Sequence, residues 1–463
     1  MNELPTGIVS GRLRGWAMAS VMITVAMVSL DSTIAYTALP AMSADLRASA
    51  ASTVWVMNAY QLAVVAAVVP LAALGDAIGH RRVMLAGLAL FVLAALGCGL
   101  AGSLPALIAA RAVQGLGAAA VVSVTTALIR FIYPPQRLGH ALGLYALVVA
   151  ISIALGPTVG SLVLTVASWH WLYLLHLPIG AVGIALAWRT IPDTARAAHG
   201  YDAAAALLSG GMFASLVFGL TEAAHHAPLA EVAALLAAAV VLGALLMRRQ
   251  AGHAAPMFAI DLLRNPFTGL SSATSVLSFT TQGLAFVSLP FLFQTVMGFS
   301  QLRAGLLLTT WPVVLAVMAT IAGRLSDRWP AAILGGTGLV LLALSMSLLA
   351  LLPSDAAAFD IVWRIALSGM GFGLFQTPNM NAIMSSTPPG RSGGASGIVA
   401  TSRLLGQALG AALAAACLHV SVERGPAYAL WTAGGVAALA AAVSFARTRV
   451  APARAQDGSN ATA

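Results

Sequence analysis

Of the chain's 463 residues, 60% are hydrophobic and only 8% charged, with a mean hydropathy of +0.92, whereas soluble domains carry roughly 25% charged residues. A water-soluble globular fold is therefore excluded. The formal net charge of +9 comes from 23 basic residues, all of them arginine, and their placement between apolar runs reads as membrane topology, against nucleic-acid binding.

In lipid only helices or closed barrels satisfy their own backbone, and a spanning helix needs about 20 apolar residues. The apolar runs here are long and lack two-residue alternation, so a barrel is ruled out. The pattern predicts an all-α polytopic membrane protein with 14 transmembrane helices near 16–39, 54–74, 83–101, 106–129, 141–165, 169–188, 203–221, 229–247, 269–292, 304–322, 331–352, 360–384, 395–418 and 427–446. The first run has full spanning length and is expected to remain as span 1, uncleaved. With the N-terminus inside, seventeen arginines face the cytoplasm, Arg447 among them, against Arg47, Arg303 and Arg424 outside. This bias puts both termini in the cytoplasm of a multi-pass protein of the bacterial inner or plasma membrane.

Span 1 ends in Leu30-Asp31-Ser32-Thr33-Ile34-Ala35-Tyr36-Thr37-Ala38-Leu39-Pro40. A carboxylate inside hydrocarbon costs roughly 2.5–3.5 kcal/mol on insertion scales, so Asp31 marks a pathway for protons, ions or substrate. The turn between spans 2 and 3 holds Gly75, Asp76, Gly79, Arg81 and Arg82. Glycines permit a tight turn there, and Asp76 is expected to pair with an arginine or the next helix's N-terminus, a latch for one conformation. Cys98 in span 3 and Cys417 in span 13 show no pair or metal spacing and read as core packing.

Span 4 carries Arg111, Gln114 and Gly115 ahead of a run of small residues that lets a neighbouring helix approach. Arg111 needs a buried acid, and Asp31 is one of very few available. In span 5, Gly156-Pro157 and Gly160 are expected to kink the helix and pack it closely.

The chain also repeats itself. Pro134 to Gly143 matches Pro388 to Gly397 at six of ten positions with an offset of 254, and Leu39-Pro40, Asp76 and Arg111 find counterparts in Leu289-Pro290, Asp327 (followed by Arg328) and Arg364. The expected division is a six-helix bundle over 1–195, an inserted helix pair with its loops over 196–262, a second six-helix bundle over 263–450, and a disordered tail over 451–463. Parallel six-helix halves closing on a midplane site are an alternating-access transporter design.

These motifs resemble those of the major facilitator superfamily, specifically its fourteen-helix drug:proton antiporter family. The likeness rests on Leu30-Asp31 to Pro40, Gly75-Asp76 to Arg82, Arg111 with Gln114-Gly115, Gly156-Pro157 to Gly160, Trp169-His170-Trp171 to Gly180, and Gly373 to Pro378. It implies the major facilitator fold and proton-driven export of amphipathic, often cationic compounds. It also implies that Asp31 contacts substrate or proton and that Gly156-Pro157 marks antiport. Departures are Tyr36 for an asparagine, Ala72 for a glycine, Ala77 for an arginine, Ser161 for a glycine, and His170 and His176 for arginine and asparagine. They leave the fold untouched and blur the substrate class.

Spans 9, 10, 13 and 14 contain no acid in their interiors. Asp31 is thus read as a single exchange site, holding a proton or a monovalent cationic drug but not both. Wall residues expected around it are Asn58, Tyr60, Gln61, Tyr145, Gln282, Trp311, Phe372, Phe375, Gln376 and Asn379, with aromatic faces attracting cations by about 0.5–2 kcal/mol each. Arg364 and Arg403 would equally suit an anionic metabolite or antibiotic, and a neutral one is the further alternative. Partners are small lipophilic molecules, protons and the bilayer; oligomeric state is left open. No cofactor or metal is expected, and His225 and His226 read as loop residues. No clustered catalytic residues, His-Glu-x-x-His spacing or phosphate loop with lysine is present, which argues against an enzyme or ATP-driven pump.

Overall fold

The computed structural model describes residues 11–194, 201–224, 228–250, 260–326, 328–353, 355–386, 392–421 and 423–450. The helices are α1 (Gly11–Asp45), α2 (Ala50–Thr53), α3 (Trp55–Ile78), α4 (His80–Gly99), α5 (Leu104–Ile132), α6 (Pro135–Val166), α7 (His170–Leu174), α8 (His176–Thr190), α9 (Ala203–Ala224), α10 (Leu229–Gln250), α11 (Ile260–Leu263), α12 (Pro266–Phe291), α13 (Gln301–Leu325), α14 (Ala331–Ala350), α15 (Ala358–Ser385), α16 (Ser392–Val420) and α17 (Gly425–Ala446). A π-helical turn, Leu292–Val296, follows α12, and a 3₁₀ turn, Arg447–Arg449, follows α17. Among the described residues thirteen helical segments are long and apolar enough to cross a membrane, and α9 supplies a shorter apolar stretch, Ala203–Gly219. The fold is that of an all-helical multi-pass membrane protein.

Local chemistry sets the helix ends. Ser49 and Asn265 act as N-caps, accepting the backbone N–H of Ser52 at 3.0 Å and of Phe267 at 2.9 Å. Proline occupies the first turn of α5, α6, α12 and α17, where its missing N–H costs nothing. Between α3 and α4 the chain turns through Gly79 at φ 104°, a conformation that disfavours any side chain. The predicted span 6 is divided at Leu175 into α7 and α8; Pro178, in the first turn of α8, cannot donate to the carbonyl of Leu174. Span 1 outruns its predicted end, continuing through Pro40 to Asp45, whose carboxylate accepts the Trp169 indole N–H at 2.8 Å. Pro157 lies within an α6 that runs on to Val166, so it does not end that helix.

Polar and apolar side chains are distributed as lipid demands. Leu93, Val166, Leu207 and Val240 are exposed, while α12 buries Ser271, Thr274, Ser278, Thr281 and Gln282. Two of these hydroxyls are satisfied within their own helix: Ser271 donates to the Phe267 carbonyl and Thr274 to the Leu270 carbonyl, both at 2.7 Å.

The chain divides into two compact units, one comprising described residues of 1–48, 55–216 and 237–250, the other those of 49–54, 217–236 and 251–463, so α9 and α10 contribute to both. In the first unit α1 packs on α6 and α8, α5 packs on α3 and α4, and α4 packs on α8. The second unit repeats that order: α12 packs on α16 and α17, α15 on α13 and α14, and α14 on α17. The contacts are matched residue by residue. A Cβ on Gly115 would collide with the carbonyl oxygen of Tyr60, and one on Gly369 would lie 2.6 Å from that of Trp311; the two glycines stand 254 positions apart, the offset of the sequence repeat. Only a hydrogen atom fits where these backbones touch, which is how small residues hold helices together in lipid.

Candidate functional site: a buried charge cluster around Asp31

Asp31 and Arg111 are brought together in the first unit, with both side chains 0% exposed. Arg111 Nη1 donates to Asp31 Oδ2 at 2.8 Å and to Gln114 Oε1 at 2.8 Å. The Gln114 amide in turn donates to Asp31 Oδ1 at 3.4 Å, and Arg111 Nε donates to the Val56 carbonyl at 3.4 Å. The guanidinium carbon sits 4.1 Å from the centre of the Tyr60 ring and 5.5 Å from that of Tyr173, so aromatic faces supply part of the solvation that water cannot. Cys98, expected only to fill space, donates its thiol to Gln114 Oε1 at 3.5 Å.

One member of the cluster was visible in the sequence only as a departure from a motif. His176, at the start of α8, is 2% exposed and places Nε2 3.8 Å from Asp31 Oδ1. Its other ring nitrogen lies 3.2 Å from the Tyr173 carbonyl, and the edge of Phe91 closes the remaining side at 5.5 Å between centroids. Periodicity could not have found this contact, because α1 and α8 meet only through tertiary packing.

Several buried polar atoms of the first unit have no hydrogen-bond partner among the described residues: Arg111 Nη2, the Tyr173 hydroxyl, Gln61 Oε1 and both side-chain amide atoms of Asn58. Tyr36 accepts from the Gln61 amide at 2.7 Å. Buried polar groups are normally satisfied, so these are the atoms from which a ligand or water would draw hydrogen bonds.

The second unit is built differently at the matching place. Thr281, which takes roughly the place of Asp31 when Leu39-Pro40 is set on Leu289-Pro290, hydrogen-bonds the Leu277 carbonyl at 3.2 Å and the Ala433 carbonyl of α17 at 3.4 Å. Where α1 sets an acid against a histidine of α8, α12 sets a hydroxyl against a backbone carbonyl of α17. Nearby Phe279, Phe286, Trp311, Phe372 and Phe375 form a chain of ring contacts at 5.3–6.2 Å, and the buried Trp311 indole N–H lacks an acceptor among the described residues. Gln282 accepts from the Gln407 amide at 3.0 Å. Gln376 and Tyr145 are half-buried.

Other expectations need correcting. Of its two expected partners Asp76 takes the next helix's N-terminus and not an arginine: across the Gly79 turn it contacts Nε2 of His80, the first residue of α4, at 3.1 Å. Arg81 instead pairs with Asp193 at 2.9 Å, and the His80 N–H is capped by Thr194 Oγ1 at 2.8 Å, so the turn is tied to the segment after α8. Arg82 is exposed, and Asp327, beside Arg328, lies outside the described residues, as do His225 and His226. Gly75 and the Gly156 and Gly160 pair pack closely, the first against Val124 and His80, the others against Thr33, Ile34 and Thr37 of α1. Arg364 is not free for an anion, since it pairs with Asp360 at 2.8 Å. Arg447, just past the end of α17, is 1% exposed and donates to Ser271, Ser444 and Asn379. Asn379 therefore serves that guanidinium and is not a free wall residue.

A family model for the major facilitator superfamily matches residues 21–411 and 271–462. The chain belongs to this superfamily. It is 44% identical over 93% of its length to the uncharacterized transporter YebQ of Escherichia coli, covering 95% of that protein. It is 31% identical over 86% of its length to the multidrug efflux pump LfrA of Mycolicibacterium smegmatis, covering 80% of it. Against the tetracenomycin C resistance and export protein of Streptomyces glaucescens the identity is 30% over 89% of this chain and 78% of that one. Among solved structures, a bacterial homologue of the human lysosomal transporter Spinster, inward-facing and unoccupied, superposes with a TM-score of 0.69 at 16% identity, covering 95% of this chain and 98% of that one. The superfamily member described here is accordingly a transporter, not an enzyme.

Proposed function

We propose that this transporter is a proton-coupled antiporter of the fourteen-helix drug:proton family, exporting lipophilic, monovalent cationic compounds. The observation that carries the reading is the enclosed Asp31–Arg111 pair. Within it a single carboxylate faces a single fixed cation at 2.8 Å, so the pair is neutral. A proton or a drug cation each adds one positive charge to that neutral unit, and a low-dielectric site cannot hold both cheaply. Competition for one acid is antiport. Relatives that include a named multidrug efflux pump and an antibiotic export protein support the export direction.

In this reading the two six-helix halves, 1–195 and 263–450, alternate access around the site, while the inserted pair within 196–262 accompanies them. The Gly75 to Arg82 turn and the Gly156-Pro157 to Gly160 packing surface bias that movement. Both termini face the cytoplasm, as the arginine bias indicates. Cation binding requires Asp31 to leave Arg111, because the carboxylate is fully enclosed. A second reading, export of an anionic or neutral compound, draws on the unpartnered Arg111 Nη2.

An efflux-deficient bacterium expressing the protein separates the two. Protection against lipophilic cations that Asp31→Asn abolishes supports the antiporter reading. Protection against anions or neutral compounds alone, unchanged by that substitution, rejects it in favour of the second.

A further inference from the structure

The placement of His176 carries more than packing. Its Nδ1 lies 3.2 Å from the backbone carbonyl of Tyr173, and a carbonyl oxygen can only accept. Nδ1 therefore bears the hydrogen of the neutral ring, which leaves Nε2 as a bare lone pair. That lone pair faces Asp31 Oδ1 across 3.8 Å. Two acceptors thus confront each other inside the membrane with no hydrogen between them, an arrangement that one added proton would turn into a charge-assisted hydrogen bond.

From this geometry we infer that the coupling proton resides between His176 Nε2 and Asp31 Oδ1, with His176 as its carrier. The inference rests on the antiport reading and specifies its proton site. One proton from solution adds to the Nε2 lone pair. The resulting imidazolium donates through Nε2–H to Asp31 and still donates through Nδ1–H to Tyr173. When a drug cation takes Asp31, the imidazolium loses its counter-charge, and the same proton leaves Nε2 for solution. No electrons move and no other bond changes.

From α1 the ring faces Asp31, from α5 the charge of Arg111, from α4 the Phe91 edge, and from α7 the backbone of Tyr173 and Leu172. Arg111 already uses Asp31 Oδ2, while among the described residues Oδ1 receives only the long 3.4 Å contact from Gln114. Oδ1 thus retains acceptor capacity for the imidazolium.

The test is ¹⁵N NMR of the full-length protein, labelled at histidine and held in lipid nanodiscs without substrate. Among the nine histidines, signals lost in His176→Gln identify this ring; His176→Asn serves if the first variant does not fold. At high pH the missing signals are expected to show a neutral ring protonated at Nδ1. Lowering the pH should convert them to imidazolium, and Asp31→Asn should prevent the conversion. A ring protonated at Nε2, or neutral at every pH where the protein is folded, overturns the proposal. A second measurement adds tetraphenylphosphonium in weak buffer and counts protons released per cation bound, at a pH where the titration shows imidazolium. Wild type should release one and His176→Asn fewer; equal release overturns the coupling role. If the protein exports no cation at all, the antiport reading falls, and the substrate-free titration still decides whether His176 takes the proton.

Discussion

At the scale of single residues, the Asp31–Arg111 pair is a case where breaking is costlier than removing. Arg111→Met leaves a carboxylate enclosed without its cation and should destabilise the folded protein by about 3–5 kcal/mol. Adding Asp31→Asn to that variant removes the orphaned charge and should recover most of the loss. Thermal unfolding in detergent reads both; a double variant no more stable than Arg111→Met would show that the pair is not the unit. Arg447 poses the opposite situation, a buried guanidinium held by Ser271, Ser444 and Asn379 and by no carboxylate among the described residues. Asn379→Ala takes away one acceptor and should cost about 1–3 kcal/mol of stability. Substrate affinity of the folded fraction should hold, and a loss of affinity at unchanged stability would return Asn379 to the site wall.

Between elements, packing is decided where backbones touch. Gly115 sits against the Tyr60 carbonyl, and backbone cannot yield as a side chain can, so Gly115→Val should separate α5 from α3 and cost more than about 3 kcal/mol. Gly143 on α6 has open space around it, and Gly143→Val should be tolerated. Yields of folded, monodisperse protein in parallel purifications make the comparison, and equal yields would refute the close-packing argument. Just before α9, both carboxylate oxygens of Asp202 share the Nε–H of Arg249 of α10. That contact, with help from the Ala205 N–H, holds the Asp202 carboxyl below its ordinary value of 3.8. A depressed acid contributes stability above its unfolded-state pKa and loses it as pH falls through the folded one. Protection from hydrogen exchange in the first turn of α9, taken relative to the intrinsic rate at each pH, should therefore fall only below about pH 4. Because the pair is exposed, high salt should weaken it at any pH.

For the molecule as a whole, one proton exchanged for one monovalent cation moves no net charge. Export in inverted vesicles should then follow the pH gradient, worth about 1.36 kcal/mol per unit, and persist when potassium with valinomycin collapses the potential. Strong inhibition by that treatment would mean a second charge moves per cycle, against the single-acid scheme.

Much of this was legible without coordinates. The number and order of membrane helices follow from apolar length, because lipid leaves a backbone few ways to satisfy itself. The repeat at an offset of 254, read from a loop, reappears as the matched Gly115 and Gly369 contacts, since a duplicated half needs duplicated close approaches. The choice of Arg111 as partner to Asp31 was also within reach, because a buried acid and a buried base are too rare and too costly to remain apart. What composition and spacing could not assign were contacts between polar groups that have several satisfactory partners. Asp76 met His80 instead of an arginine, Arg81 found Asp193, and Arg447 was drawn inside by three neutral acceptors. His176 is the sharpest instance: a histidine in the sixth apolar run is satisfied in sequence terms by any carbonyl. Only the crossing of α8 over α1 turned its Nε2 toward the Asp31 carboxylate, because side-chain direction across a helix contact is fixed by packing and not by position along the chain.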